Sequence, residues 1–506
     1  MAINQLKAGA ALSYVSIIIN NIVGLLYTPI MLRMMGTSEY GLYSLVASVV
    51  ASLTILDLGF GNAIIRYTAK FRAEGKQEEQ YNMFGMFILL YSIVSIIAFT
   101  IGLLLYYNID SLFDRTMTVD EIGKIRIMML LMVFNIAFTF PMSIWGSIIQ
   151  AYENFVFQKM VIIIRIILNP VVMIVLLTIG YRAIGMVVLT TLLNITTLTV
   201  NWWYCKHKLK IKVHFKKFKW SFLKEIGAYS FWIFLNAIMD LIYWSTGQFI
   251  LGMYVGSAAI AIYAVSVKLQ GIFMSFASAI SGVFLPRVTS MITKKHNEAE
   301  ISSLFIKTGR IQFFIMAFIL TGFILFGKPF IILWAGPTYE DAYYISLLFF
   351  IPIVVPLIQS LGITILQARN QLKFRSTSCI SIAVACLFIS IPLAKTHGPI
   401  GYTIGTSLAI IIGQIIVMNI YYYKKIHLNI PLFWKEIAKM SIVPALVGVL
   451  TFWCIHTMDL TTIKSLASSI ALFTLVYLPL AWFGSMNKSE RLLFKRPIVM
   501  LLSKIR

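Results

Sequence analysis

Ile148-Ile149-Gln150-Ala151-Tyr152-Glu153-Asn154 closes one long apolar run, and 217 positions later Ile365-Leu366-Gln367-Ala368-Arg369-Asn370-Gln371 closes another in nearly the same words. The match is not isolated. Ile184-Gly185 pairs with Ile400-Gly401 at a similar offset, and Gly36 to Tyr43 (GTSEYGLY) with Gly256 to Tyr263 (GSAAIAIY) at an offset of 220. Arg66 and Arg287 each end an apolar run and lead into a Lys-rich segment. Such repetition in a hydrophobic chain points to a transporter made of two related halves.

The composition sets the class. Of 506 residues, 59% are hydrophobic and 12% charged, and apolar runs of about 20 residues recur from end to end. About 20 residues at 1.5 Å each cross a bilayer core, whereas barrel strands would be about 10 residues long and alternating. The expectation is an all-α polytopic membrane protein with about fourteen transmembrane helices. Six form an N-lobe (1–205), a basic linker follows (206–226), six form a C-lobe (227–425), and two extra helices (426–485) precede an amphipathic tail (486–506). An even number of helices per lobe gives both the same orientation, related by a pseudo-two-fold along the membrane normal.

The net charge of +23 would suggest nucleic acid in a soluble protein, but most of the 42 Lys and Arg fall on alternate connections. That asymmetry puts both termini in the cytoplasm. The eight lysines between Lys206 and Lys224 then read as a linker beside anionic headgroups, with no nucleic-acid partner. The first apolar run is too long for a cleavable signal. The four cysteines show neither CxxC spacing nor a Cys/His cluster, so no metal or disulfide framework is expected.

External connections under about 20 residues leave no room for a catalytic domain, so no enzyme is expected. Gly322 to Lys328 fits the spacing of a phosphate loop, yet Pro329 stands where a Ser or Thr should hold magnesium and the stretch lies in an apolar run. No cofactor is implied, and energy must come from an ion, potential or substrate gradient.

The segment Gly36-Thr37-Ser38-Glu39-Tyr40-Gly41-Leu42-Tyr43, followed by Leu56-Asp57-Leu58-Gly59-Phe60-Gly61-Asn62-Ala63-Ile64-Ile65-Arg66-Tyr67, in a chain of six plus six plus two helices, resembles the bacterial polysaccharide-unit (Wzx-type) flippases. These share a superfamily with multidrug and toxin extrusion antiporters and the peptidoglycan-precursor flippase. The resemblance implies that an undecaprenyl-diphosphate-linked oligosaccharide is moved across the bacterial cytoplasmic membrane by alternating access, for surface polysaccharide of O-antigen or capsule type. It implies partners as well: the lipid-linked glycan, the bilayer, a polymerase with its chain-length regulator, and a coupling ion, H+ or Na+. A drug/cation antiporter of the same fold is the competing reading, distinguished by needing acidic and no cationic lumen residues.

Ionisable residues inside apolar runs are the site candidates, because a charge near the bilayer centre costs about 2.5–3.5 kcal/mol even on the mildest scale. Arg165 lies roughly 9 Å into its helix, where it either holds the diphosphate or snorkels. Asp240 and Lys268 reach similar depths on consecutive helices, either as a coupling carboxylate and phosphate ligand or as a structural ion pair. Arg66, Arg287 and Arg310 near inner helix ends are either interface anchors or a cationic vestibule for the headgroup. Asp57 is a counter-ion or gate residue. Asn20 and Asn21 occupy mid-helix positions where the peptidoglycan-precursor flippases are expected to carry arginine. Trp232 and Trp244 are candidate sugar platforms or belt residues.

Overall fold

The computed structural model describes residues 5–215, 220–293, 297–369, 371–455, 460–487 and 490–492, and among them it is helical almost throughout, with no strand. Lipid offers no hydrogen-bond partners, so each span must satisfy its own backbone, and a helix does so. Among the described residues, twelve helices are long and apolar enough to cross a membrane. One of these, Leu372–Lys424, has 53 residues and contains Gly398 with non-helical φ 58° and ψ −139°, so it serves as two. Trp220–Trp244 with Thr246–Tyr254 supplies the fourteenth crossing. The protein is a multi-pass membrane protein.

The chain divides into two compact units, Met1–Ala264 with Ala383–Tyr402, and Val265–Ile382 with Thr403–Arg506. The first contains α1 (Gln5–Met35), α2 (Thr37–Thr54), α3 (Phe60–Ala73), α4 (Gln77–Tyr107), α5 (Ile109–Phe113), α6 (Val119–Ala151), α7 (Phe155–Ile179), α8 (Ala183–His207), α9 (Trp220–Trp244) and α10 (Thr246–Tyr254). It also holds the start of α11 (Ser257–Thr293). The second contains the rest of α11, α12 (Glu298–Trp334), α13 (Asp341–Ile358), α14 (Ser360–Ala368), the start of α15 (Leu372–Ala409), α16 (Met418–Lys424), α17 (Ile430–Ile455) and α18 (Ile463–Gly484).

This division does not fall at the lysine linker. The reason lies at one end of the first unit, where side chains from both sides of the linker interlock. The Thr116 hydroxyl donates to the Gly252 carbonyl at 2.6 Å, and Glu121 accepts from Ser257 Oγ at 2.6 Å and from the Thr118 N–H at 2.9 Å. Glu39 accepts from Lys124 Nζ at 2.7 Å and the Ala183 N–H at 3.2 Å. Gly41, within the GTSEYGLY stretch, lies so close to the backbone of Ser257 that a Cβ there would stand 2.0 Å from the Ser257 carbonyl oxygen. The first described part of the linker is packed as well: the His214 N–H donates to the Tyr81 carbonyl at 3.1 Å, and Ile211 is buried.

The sequence repeat has a backbone counterpart. Tyr152 N–H to Ile148 and Asn154 N–H to Ile149 end α6, and Arg369 N–H to Ile365 and Gln371 N–H to Leu366 end α14, all at the same offset. Likewise Gly36 and Gly256 both take positive φ, at 82° and 125°, and both accept the first bond of the following helix, from Tyr40 and Ile260.

Continuity is where the helices depart from the apolar runs. The second apolar run of the chain, 39–64, breaks into α2, a 3-10 turn at Ile55–Asp57 and α3, with Leu58 and Gly59 left-handed at φ 53° and 71°. The run 343–366 breaks at Gln359 after Pro352 and Pro356, since prolines remove helix donors. Gly322 to Lys328 lies inside α12, and Lys328 pairs with Glu340 at 2.7 Å, so no phosphate loop forms. The two appended helices pack on α12 through Leu325, Phe326, Val447, Phe473 and Tyr477, with Phe318 stacked on Phe473 at 5.7 Å.

Candidate functional site

In the first unit, three helices bring polar side chains to one place in otherwise apolar spans. Arg165 on α7 donates to Asn194 Oδ1 of α8 at 3.3 Å. Asn194 Nδ2 in turn donates to Asn135 Oδ1 at 2.8 Å and Thr139 Oγ1 at 2.7 Å, both on α6. All four residues are half-buried. Pro141 on α6 and Pro170 on α7 interrupt the backbone ladders nearby. Among the described residues Arg165 meets no carboxylate: its charge is held by a neutral amide, and most of its five donors are left for another acceptor.

Asp57 sits at the break in the second apolar run. Tyr91 of α4, itself buried, donates its hydroxyl to Asp57 Oδ1 at 2.6 Å, and its ring lies 5.7 Å from Phe60 and 6.3 Å from Phe140. At the break the Leu58 N–H donates to the Ile55 carbonyl at 3.3 Å and the Asn62 N–H to the Gly59 carbonyl at 3.1 Å.

The remaining candidates are spread out. Lys268 is exposed on α11 and makes no hydrogen bond or ion pair among the described residues; its proposed partnership with Asp240, exposed on α9, rests on depth alone. Arg66 is exposed on α3 with its guanidinium 5.7 Å from the Tyr67 ring centroid. Asn20 is exposed and Asn21 half-buried on α1. Trp244 is half-buried, its ring 5.7 Å from Tyr243. Trp232 and Arg287 lie on α9 and α11 with side chains outside the described residues.

Arg310 is enclosed by carboxylates within the second unit. The residue is 4% exposed, and its Nε and Nη2 reach Glu490 at 2.6 and 3.0 Å, Nη1 reaches Glu436 at 2.7 Å, and Nη2 reaches the Ser485 carbonyl at 3.0 Å. A guanidinium committed to two carboxylates has little left for a phosphate. The start of the tail is thereby tied into the second unit rather than lying free at an interface; the tail from 493 onward is outside the described residues.

Sequence reading passed over Asn135, Thr139, Asn194 and Tyr91. The available sign was a neutral polar residue inside an apolar run, which is common in membrane helices and marks a site only when three helices bring such residues together.

A model of the family described as polysaccharide biosynthesis protein matches residues 6–292. No sequence among the curated proteins matches. Among solved structures, a lipid II flippase, MurJ, in an inward closed conformation is similar at TM-score 0.72 and 16% identity, over 93% of this chain and 97% of that one. An inward-facing multidrug resistance transporter of the MATE family is similar at TM-score 0.55 and 16% identity, over 82% and 99%. A Vibrio cholerae MATE transporter, VcmN, gives TM-score 0.55 and 12% identity over 84% and 98%. At these identities the likeness is one of fold.

Proposed function

The chain belongs to the family of polysaccharide biosynthesis proteins, and on that premise we propose that it is a flippase carrying a polyprenyl-diphosphate-linked oligosaccharide between leaflets of the bacterial cytoplasmic membrane. The observation that carries the reading is Arg165. A cation kept inside a span, without a carboxylate among the described residues, needs an anion to offset its charge, and a diphosphate supplies one suited to the guanidinium fork. Asn194 orients the guanidinium while Asn135 and Thr139 orient Asn194.

Lys268 is a second exposed cation on a spanning helix, in the second unit, and in the first unit the exposed Arg66 gathers the headgroup at the end that the charge asymmetry assigns to the cytoplasm. Asp57 and Asp240 are the carboxylates available to a coupling proton or sodium ion. Sugars contact Asn20, Asn21 and Trp244. The chain itself makes and breaks no bond in the cargo.

The test is transport in proteoliposomes loaded with a fluorescent polyprenyl-diphosphate saccharide, with movement read by a membrane-impermeant quencher. The wild type is expected to translocate it, and Arg165→Gln with Lys268→Gln to lose at least tenfold in rate while folding normally. Equal rates in both proteins would refute the site. Export of organic cations, with no movement of the saccharide, would decide for the antiporter reading.

A further inference from the structure

The second unit carries an apolar groove away from the residues assigned to the cargo. Near the start of α15, the Phe374 ring stacks on Tyr421 of α16, centroids 4.1 Å apart and planes 12° from parallel. With Val417 and Ile420 they line an open groove of about 340 Å³, bounded at one end by Lys424 and Lys425. Val417, Ile420, Tyr421 and Lys424 share one helical face by their spacing, so the groove follows the helix axis for roughly 10 Å.

Two adjacent lysines close the groove. Both are exposed, and among the described residues neither side chain makes an ion pair or hydrogen bond. Two adjacent uncompensated ammonium groups above an apolar trough present the two chemistries of an anionic lipid, a phosphate without a balancing cation and an acyl chain.

We propose that this groove is a selective site for an anionic phospholipid of the cytoplasmic leaflet. One acyl chain lies along Phe374, Tyr421, Val417 and Ile420, and the phosphate sits between Lys424 and Lys425. A zwitterionic headgroup would bring its own cation against the two lysines. A polyprenyl chain is much longer than the trough, so the transported lipid is the poorer occupant. The proposal does not depend on the cargo assignment.

The experiment is native mass spectrometry of the full chain released from micelles containing equal phosphatidylglycerol and phosphatidylcholine. The wild type should retain phosphatidylglycerol roughly tenfold over phosphatidylcholine. Lys424→Gln/Lys425→Gln should lose that preference. Val417→Trp, which fills the trough and keeps both lysines, should lose bound lipid of either kind; Val417→Phe replaces it should the tryptophan variant not fold. Equal retention of the two lipids by wild type, or undiminished phosphatidylglycerol in the folded variants, would overturn the proposal. So would displacement of phosphatidylglycerol by equimolar polyprenyl phosphate, which would assign the groove to the carrier lipid.

Discussion

Replacing Arg310 by methionine should be among the most destabilising single changes in the second unit, while replacing its partner too should restore most of the loss. Arg310 and Glu490 side chains are 5% and 3% exposed, and two nearly parallel bonds of 2.6 and 3.0 Å join them. Methionine fills similar space but leaves the Glu490 carboxylate buried with, among the described residues, only the Asn487 N–H, at 2.8 Å, to answer it. Stranding one member of a buried pair costs about 3–5 kcal/mol, whereas exchanging both for apolar groups is often neutral. Glu436 does not strand in the same way, because it is more exposed and Lys439 lies 2.7 Å away.

The measurement is reversible unfolding in mixed micelles followed by tryptophan fluorescence, comparing Arg310→Met, Glu490→Leu and the double variant in a mutant cycle. A coupling of about 2 kcal/mol or more is expected from residues in direct contact within one network. If Arg310→Met unfolds like the wild type, or if the double variant is as unstable as the single one, the buried-pair reasoning fails. Transport by the stable double variant should be close to wild type; a folded but inactive double variant would return Arg310 to the substrate path.

Other perturbations follow from the same geometry. Gly41→Ala should destabilise by about 1–3 kcal/mol, the usual cost of overpacking, because its methyl would meet the Ser257 carbonyl oxygen at 2.0 Å; thermal unfolding would show it, and unchanged stability would mean that the contact yields. Tyr91→Phe leaves Asp57 without its 2.6 Å donor and should cost about 1–3 kcal/mol, read by the same unfolding assay, with a transport change only if Asp57 takes part in coupling. Arg72→Gln loses the 4.0 Å stack on Tyr152 and the 3.0 Å bond to the Ala151 carbonyl, so stability should fall by about 1–2 kcal/mol with saccharide movement unaffected; a transport defect at normal stability would give the α6 end a direct role. Asn194→Leu should reduce transport several-fold by releasing the Arg165 guanidinium, and wild-type rates would show that the amide does not position it.

The class, the number of crossings and the duplication were legible in the chain because each follows from local arithmetic. A run long enough to cross a bilayer must be helical there, and a repeat keeps its turn: the Gln-Ala segments end α6 and α14 with matching hydrogen bonds. Arg165 was legible as a candidate for the same reason, since an arginine inside an apolar run carries its cost in the sequence.

What the chain alone did not determine is which polar groups meet. The interruption of the second apolar run at Ile55–Gly59 is written in Leu56-Asp57-Leu58-Gly59, yet hydropathy runs straight through it, because apolar residues keep their transfer energy whether the backbone is helical or left-handed. Arg165 with Asn194, and Asp57 with Tyr91, are pairs separated by 29 and 34 residues, and Arg310 with Glu490 by 180. No local period encodes such distances. The sequence determined that charges in the spans must be offset; tertiary packing decided which were offset by carboxylates, as Arg310 is, and which, as with Arg165, meet a neutral amide among the described residues.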